Sequence, residues 1–303
     1  MRHLIPISGK DSCATALVQI ARQPDLPYEL FFNDVGCELP ETYAWLDRVE
    51  ERLGRPLVRI GKSLEQIIVR EDMLPSPQMR FCTRQGKIRP MEKWIGKDPA
   101  TVYFGLRADE DRAGYGEGKA NIFPTYPLQE LGIDLPMVYA ILDKADLRPP
   151  TFFWQRVHDL VREALERKHR GGFRLLPPAD EVLGSLPRWV FDSLFAWRTR
   201  SNCFLCFFQR QYEWAGLLEH HPDLFSKAEE IEGRIGAAGS QGERRDQPYT
   251  WIAGKPLDWI RQNRERIVRK RVVQILKVLR DRRAAKDPED LLSVTSCGFF
   301  CGK

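Results

Sequence analysis

Leu4-Ile5-Pro6-Ile7-Ser8-Gly9-Lys10-Asp11-Ser12 is a short apolar run that turns through Ser-Gly into a stretch of helical character, Cys13 to Arg22. A strand turning this way into a helix sets unpaired backbone N–H groups at a helix N-terminus. The helix dipole is positive there, so the turn cradles an anion. Lys10 adds a mobile cation, and Ser8 and Ser12 offer hydroxyls to phosphate oxygens. Ser8, Gly9, Lys10, Asp11 and Ser12 therefore read as a nucleotide phosphate loop. A Walker A loop is excluded by spacing, since it needs four residues between its first glycine and its Gly-Lys pair. The bland alternative is a strand–turn–helix whose Ser and Asp merely cap the helix.

Outward from the loop, helix signals alternate with short apolar strands at Leu4–Ile7, Tyr28–Phe32, Leu57–Ile60 and Thr101–Phe104. This βαβ rhythm predicts an α/β fold, a parallel sheet flanked by helices. Nucleotides bind such sheets at the carboxyl ends of strands. The loop after the first strand and Asp34 after the second both fall there. Arg107 and Arg112 follow the fourth strand, and guanidinium forks suit phosphate or sulfate oxygens. Their alternative role is a surface ion pair with Asp109, Glu110 or Asp111.

The seven cysteines carry the next signal. Cys203-x2-Cys206 and Cys297-x3-Cys301 are two close pairs about ninety residues apart. Close pairs in a cytosolic chain bind metal more often than they form disulfides. Four thiolates suffice for a tetrahedral zinc site or a four-iron–four-sulfur cluster, and the all-sulfur set favours the cluster. Free cysteine packed among aromatics is the alternative. Cys82 sits among Arg80, Arg84 and Lys87, where positive charge stabilises a thiolate. It is a candidate for reactivity towards sulfur or a structural residue. Cys13 and Cys37 read as packing residues.

The loop resembles the Ser-Gly-Gly-x-Asp-Ser pyrophosphate loop of the adenine-nucleotide α-hydrolase superfamily, with Ile7 and Ser8 in place of the first Ser and Gly. Asp34-Val35-Gly36-Cys37-Glu38-Leu39-Pro40-Glu41-Thr42 is similar to a segment of the phosphoadenosine phosphosulfate (PAPS) reductase family. So are Arg80-Phe81-Cys82-Thr83 with Lys87-Ile88 and Pro90, and Gly105-Leu106-Arg107-Ala108-Asp109-Glu110 with Arg112. The resemblance implies a HUP-like sheet and binding of ATP with Mg2+ by residues 8–12, Asp34, Arg107 and Arg112. It gives Lys10, Asp11, Arg107 and Cys82 catalytic roles. Asn202-Cys203-Phe204-Leu205-Cys206 and Cys297-Gly298-Phe299-Phe300-Cys301 are similar to the cysteine pairs of iron–sulfur relatives, among them the DNA phosphorothioation sulfurtransferase subunit. Sulfonucleotide reductases instead end in a Glu-Cys-Gly-Leu-His nucleophile segment. Here Ser296-Cys297-Gly298-Phe299 keeps only Cys-Gly, which leaves Cys297 a ligand first and a nucleophile second.

Three units follow: 1–150, the phosphate-loop domain; 151–200, an insertion and linker; and 201–303, a mostly helical cysteine-rich region. Helices are expected at Thr151–Lys168 and around Trp189–Trp197, and a flexible loop at Gly233–Gly242. Residues 257–283 form a basic amphipathic helix in which apolar Ile260, Ile267, Val268, Val272, Ile275, Leu276 and Leu279 recur at helical spacing. Its ten basic residues suit a nucleic-acid partner or a solvated face. A net charge of +5 is compatible with anionic ligands. No run is long enough to span a bilayer and no secretory leader precedes the first strand, so a cytoplasmic, membrane-free enzyme is expected.

The function these features imply is ATP pyrophosphatase chemistry that adenylates an acceptor for sulfur transfer, with a protein partner supplying sulfur or acceptor. Reduction of a sulfonucleotide (APS or PAPS) to release sulfite is the alternative. A nucleotide-sensing subunit that has lost catalysis is a third reading, motivated by Ile7 and Ser8.

Overall fold

The computed structural model describes residues 1–111, 114–116, 118–170, 177–238 and 249–284. Strands β1 (Arg2–Pro6), β2 (Tyr28–Asn33), β3 (Leu57–Ile60), β4 (Ala100–Tyr103) and β5 (Ile122–Thr125) form one sheet. Their order is β3-β2-β1-β4-β5, and every neighbouring pair is parallel. The parallel α/β sheet expected from the sequence is thus present, with one strand more than the apolar runs announced. β5 is only Ile-Phe-Pro-Thr; its proline removes a ladder donor, which is tolerated because the strand lies at the sheet edge.

Successive side chains on a strand face opposite ways, and the core divides accordingly. Ile5, Leu30 and Phe32 join Ala14, Trp45, Val138 and Leu142 on one face. These last four come from α1 (Lys10–Arg22), α2 (Pro40–Leu53) and, further along the chain, Leu135–Ala145. Leu4, Phe31 and Val102 join Met91 and Ile95 on the other face. Between the first two helices and β4 come α3 (Leu64–Glu71), α4 (Phe81–Thr83), a π-helical turn at Arg84–Ile88 and α5 (Arg89–Ile95). After β5 come α6 (Pro127–Glu130) and α7 (Leu135–Ala145). Local chemistry sets several ends: Gly54 takes the left-handed conformation that closes α2, and Asp134 caps α7 by accepting from the Met137 N–H.

The remaining described elements are helical: α8 (Gln155–Arg170), α9 (Ala179–Gly184), α10 (Arg188–Phe195), α11 (Gln211–His220), α12 (Pro222–Ala238) and α13 (Leu257–Ala284). They share one apolar cluster with Val35, Leu39, Ile67 and Phe81 of the sheet-bearing part. The helical region is therefore packed onto the carboxyl end of β2. α13 buries the apolar stripe expected of it; Ile260, Ile267, Val268 and Ile275 are almost wholly inaccessible. Each such side chain contributes about 1.5–3 kcal/mol of burial. Composition misled at Gly233–Gly242: α12 continues to Ala238, because Ile231 and Ile235, one turn apart, are both buried. The rest of that stretch lies outside the described residues.

The segment between Phe152 and Trp197 folds back on itself. Trp154 N–H donates to Phe195 O (2.7 Å) and Trp197 N–H to Phe152 O (2.9 Å), so its entry and exit run antiparallel. α8 and α10 occupy the expected helical stretches, and the segment after α10 brings Arg198 to Ser201 towards the Ser8–Ser12 loop.

Candidate active site

In the order β3-β2-β1-β4-β5 the chain winds one way from β1 and then the other way, so β1 and β4 flank the topological switch point. The Ser8–Ser12 loop leaves β1 at that point, and Gly105 leaves β4 beside it. A cleft opens there, floored by Ser8, Gly9, Lys10 and Asp11. Gly105 presses on the loop so closely that a Cβ in its place would lie 2.6 Å from Ser12 N and 2.7 Å from Asp11 C.

The loop is braced from within. Ser12 Oγ accepts from Ser8 N–H (2.9 Å) and Gly9 N–H (3.1 Å) and donates to Gly9 O (2.9 Å). The Ser12 hydroxyl, expected to meet phosphate, is thus holding the turn. The next amides open the first turn of α1 and lack intrahelical partners, as at any helix start. Ile7 is wholly buried in the core under the loop, and its N–H donates to Phe31 O (2.7 Å).

Charges at the loop are largely matched. Lys10 Nζ lies 3.2 Å from Asp11 Oδ2. The Arg107 guanidinium is only 5% exposed and meets Asp11 (3.1 Å), Asp109 (2.8 Å) and Glu110 (3.4 Å). Burial works against its charge, but the three carboxylates outweigh it and raise its pKa. Burial also pushes the Asp11 carboxyl up, yet Lys10 and Arg107 hold it below its ordinary value. Arg107 lines the cleft as foreseen, while its fork is already filled by carboxylates. Asp34 is committed as well, accepting from Gly36 N–H (2.8 Å) and Tyr43 OH (2.7 Å) at the end of β2. It is not among the residues lining the cleft. Arg112 lies outside the described residues.

The far wall comes from residues that sequence reading did not place here. Tyr139, Arg148, Trp189 and the segment Arg198-Thr199-Arg200-Ser201 all face the cleft. Tyr139 and Trp189 stack with ring centres 6.1 Å apart, and Arg148 sits over Tyr139 at 4.9 Å. Arg148 is in turn paired with Asp143 and, at 2.8 Å, with Asp192. The segment 198–201 is fixed by two buried residues. Arg198 binds Asn202, Cys203 O and Gln209 Oε1 (2.6 Å). Glu213 accepts from Thr199 N–H and Oγ1–H (both 3.2 Å) and from Arg210 N–H (2.8 Å).

Two residues beyond Ser201 begins the cysteine pair. Cys203 and Cys206 share a hydrogen bond that lowers the pKa of Cys206 and raises that of Cys203; Asn202, the Phe208 backbone and Arg198 also favour the Cys206 thiolate, against burial. Phe204 N–H donates to Cys37 O (2.7 Å), which ties the pair to the end of β2. Lys87 is within electrostatic reach of Glu38, Cys203, Cys82 and Cys206; burial lowers its pKa and these groups raise it to a net increase. The fold thus brings Cys82 towards a pair some 120 residues away, a proximity no local motif signals. Burial, followed by the nearby Cys206, raises the Cys82 pKa, so the surrounding cations do not make it a resting thiolate. Cys13 and Cys37 are wholly buried, and burial pushes Cys13 up to about 12. Cys297 and Cys301 lie outside the described residues. Among the described residues no group of three Cys, His, Asp or Glu is arranged to hold a metal ion. No described helix is long and apolar enough to cross a membrane.

An uncharacterized protein of Methanocaldococcus jannaschii is 25% identical over 151 residues, which cover 45% of this chain and 30% of that protein. The chain thus spans less than a third of that relative. The crystal structure of a PAPS reductase from Candida auris, a phosphate complex, is similar at 17% identity and a TM-score of 0.38, covering 49% of this chain and 75% of that one. Residues 2–122, which carry the loop, Gly105 and Arg107, match the phosphoadenosine phosphosulfate reductase domain family.

Proposed function

We propose that the chain is an adenine-nucleotide enzyme that cleaves ATP between its α- and β-phosphates and adenylates an acceptor oxygen in preparation for sulfur transfer. The observation that carries this reading is the Ser8–Ser12 loop at the β1/β4 switch point, clamped by Gly105. An acceptor oxygen attacks the α-phosphorus, the bond to the bridging oxygen breaks, and pyrophosphate leaves. First-turn amides of α1 and Lys10 are placed to stabilise charge developing on the leaving group, and Mg2+ entering with the nucleotide offsets the rest. Arg107, saturated by carboxylates, contributes by fixing Asp11 and the loop.

A four-iron–four-sulfur cluster, with zinc as the alternative, fits the cysteine region in part. Cys203 and Cys206 present two adjacent thiols among N–H donors and cations, half of a four-thiolate set. Cys297 and Cys301 would complete it. Such a cluster would supply sulfur-handling chemistry beside the nucleotide. Metal analysis of anaerobically purified wild type and of C203S/C206S tests this: loss of bound iron or zinc in the double variant supports the assignment, and equal content sinks it.

The acceptor on this reading is nucleic acid, met by α13. Eight of its ten basic residues have described side chains, and these divide in two. Arg261 pairs with Glu229, Arg271 reaches Leu194 O and the Tyr212 ring, and Arg264 and Arg280 pair with their acidic neighbours. Arg266, Arg269, Lys270 and Lys277 are exposed and free of ion pairs among the described residues. Their reversal to Glu should flatten the salt dependence of duplex binding by up to about 0.9 per lost contact.

Release of sulfite from a sulfonucleotide is the second reading, favoured by the domain match over residues 2–122. Competitive calorimetry of ATP, APS and PAPS with Mg2+ separates the two. Preference for ATP, lost in Lys10→Ala, supports adenylation; preference for APS or PAPS replaces it with the reductase.

A further inference from the structure

We infer that Arg200, supplied by the exit of the 151–200 insertion, is the guanidinium that meets the phosphate anion of the bound nucleotide. The assignment rests on the reading of the cleft as a nucleotide site and goes beyond it by naming a residue outside the matched domain. Three observations carry it.

The first is charge. The Arg107 guanidinium is already opposite Asp11, Asp109 and Glu110, and that of Arg148 is opposite Asp143 and Asp192, which leaves Lys10, itself beside Asp11, as the loop's mobile cation. Arg200 lines the same cleft with no hydrogen bond or ion pair among the described residues. Its Nε is buried and unpartnered. A buried, unpaired guanidinium donor is costly unless a ligand completes it. A phosphate oxygen is the acceptor whose geometry suits a guanidinium best.

The second is position. Ser201, the next residue, lies over the loop: a Cβ built on Gly9 would be 3.7 Å from both Ser201 Cβ and Oγ. The segment therefore roofs the anion cradle with no side chain intervening at Gly9.

The third is rigidity. Arg198 and Glu213, both almost fully buried, hold the residues on either side through hydrogen bonds to Asn202, Gln209 and Thr199. The backbone presenting Arg200 is fixed before any ligand arrives, so little ordering is needed on binding.

The test is calorimetric titration of Mg–ATP and of inorganic pyrophosphate into the full chain as wild type, R200Q, R200K and K10A, with melting temperatures taken alongside. The assignment expects R200Q to bind both ligands at least tenfold more weakly at an unchanged melting temperature, with R200K recovering part of the loss. Wild-type affinity in R200Q, with binding lost in K10A, overturns the role of Arg200 and leaves the nucleotide reading standing. Equal weakening in R200Q and R200K with a lowered melting temperature overturns it as well, since that marks a structural residue. Failure of wild type to bind either ligand overturns the nucleotide reading and this assignment together.

Discussion

Substituting Gly105 by alanine perturbs the Ser8–Ser12 loop, the proposed anion cradle, without touching any charged group. The new Cβ would stand 2.6 Å from Ser12 N, 2.7 Å from Asp11 C and 2.8 Å from Ser12 Cα, all backbone atoms that no rotamer change can move. Ordinary contact begins near 3.4 Å, so β4 and the loop must part by about 0.8 Å. Overpacking of this kind costs about 1–3 kcal/mol of stability. The functional effect is larger in proportion. Hydrogen bonds to phosphate work over a window of about half an ångström, from 2.7 to 3.2 Å, and a shift of about 0.8 Å carries the first-turn amides out of it. Losing one such bond to a charged ligand removes about 1.5–3 kcal/mol, roughly ten- to a hundredfold in affinity. Urea unfolding measures the first quantity and calorimetry with Mg–ATP the second. A G105A protein with wild-type stability and wild-type affinity would refute the reasoning, because the close approach that defines the cradle would then be absent.

Three further outcomes follow from the same geometry. Ile7→Ser, which restores the residue of the superfamily loop, should destabilise the fold by about 2–4 kcal/mol without raising turnover, because Ile7 is wholly buried in the core; a rise in turnover at unchanged stability contradicts this. Asp11 is held below the ordinary carboxylate value, so its stabilising contribution is present above about pH 4 and is lost as pH falls through the lower folded-state value. Asp11→Asn should therefore flatten the decline of melting temperature below about pH 4, and an unchanged acid limb counts against the ion pairs. Glu232 is buried and accepts from Trp251 N–H (2.8 Å) and Leu257 N–H (2.7 Å), bracing the start of α13. Glu232→Ala strands both donors and should cost about 2–5 kcal/mol, whereas Glu232→Gln, which can still accept one, should cost less; equal losses in urea unfolding speak against the brace.

The sheet was readable because four of its strands are apolar runs separated by helix-period segments, and periodicity reports burial directly. β5 escaped because a four-residue edge strand with a proline carries little apolar signal. The strand–turn–helix at Ser8 through Ser12 was legible for a similar reason: its residues are contiguous, in one turn between β1 and α1. What the sequence hid is the division of labour within that chemistry. Ser12 reads as a phosphate ligand or a cap, and its Oγ braces the turn; Arg107 reads as a phosphate fork or an ion-pair partner, and it meets three carboxylates, Asp11 among them. The Arg107 outcome depends on the distance between residues as far apart as Asp11 and Arg107, while the Ser12 brace is a local turn contact whose use cannot be told from residue type. The far wall was out of reach for the same reason. Arg198 to Ser201 stand about 190 residues from the loop, in a segment whose composition suggests only an insertion. Its docking is written in Arg198, Glu213 and the Trp154 and Trp197 backbone bonds, none of which forms a local pattern. Cys82 approaches Cys206 by the same long-range packing.

The most direct test of the account is product analysis with ATP, Mg2+ and the purified 303-residue chain, supplied with duplex DNA as acceptor and followed by separation of labelled AMP, ADP, pyrophosphate and phosphate. Cleavage at the α–β bond predicts pyrophosphate in step with AMP or an adenylated acceptor, abolished by Lys10→Ala. Release of ADP and phosphate, or no cleavage of ATP alongside release of sulfite from APS or PAPS, would contradict it.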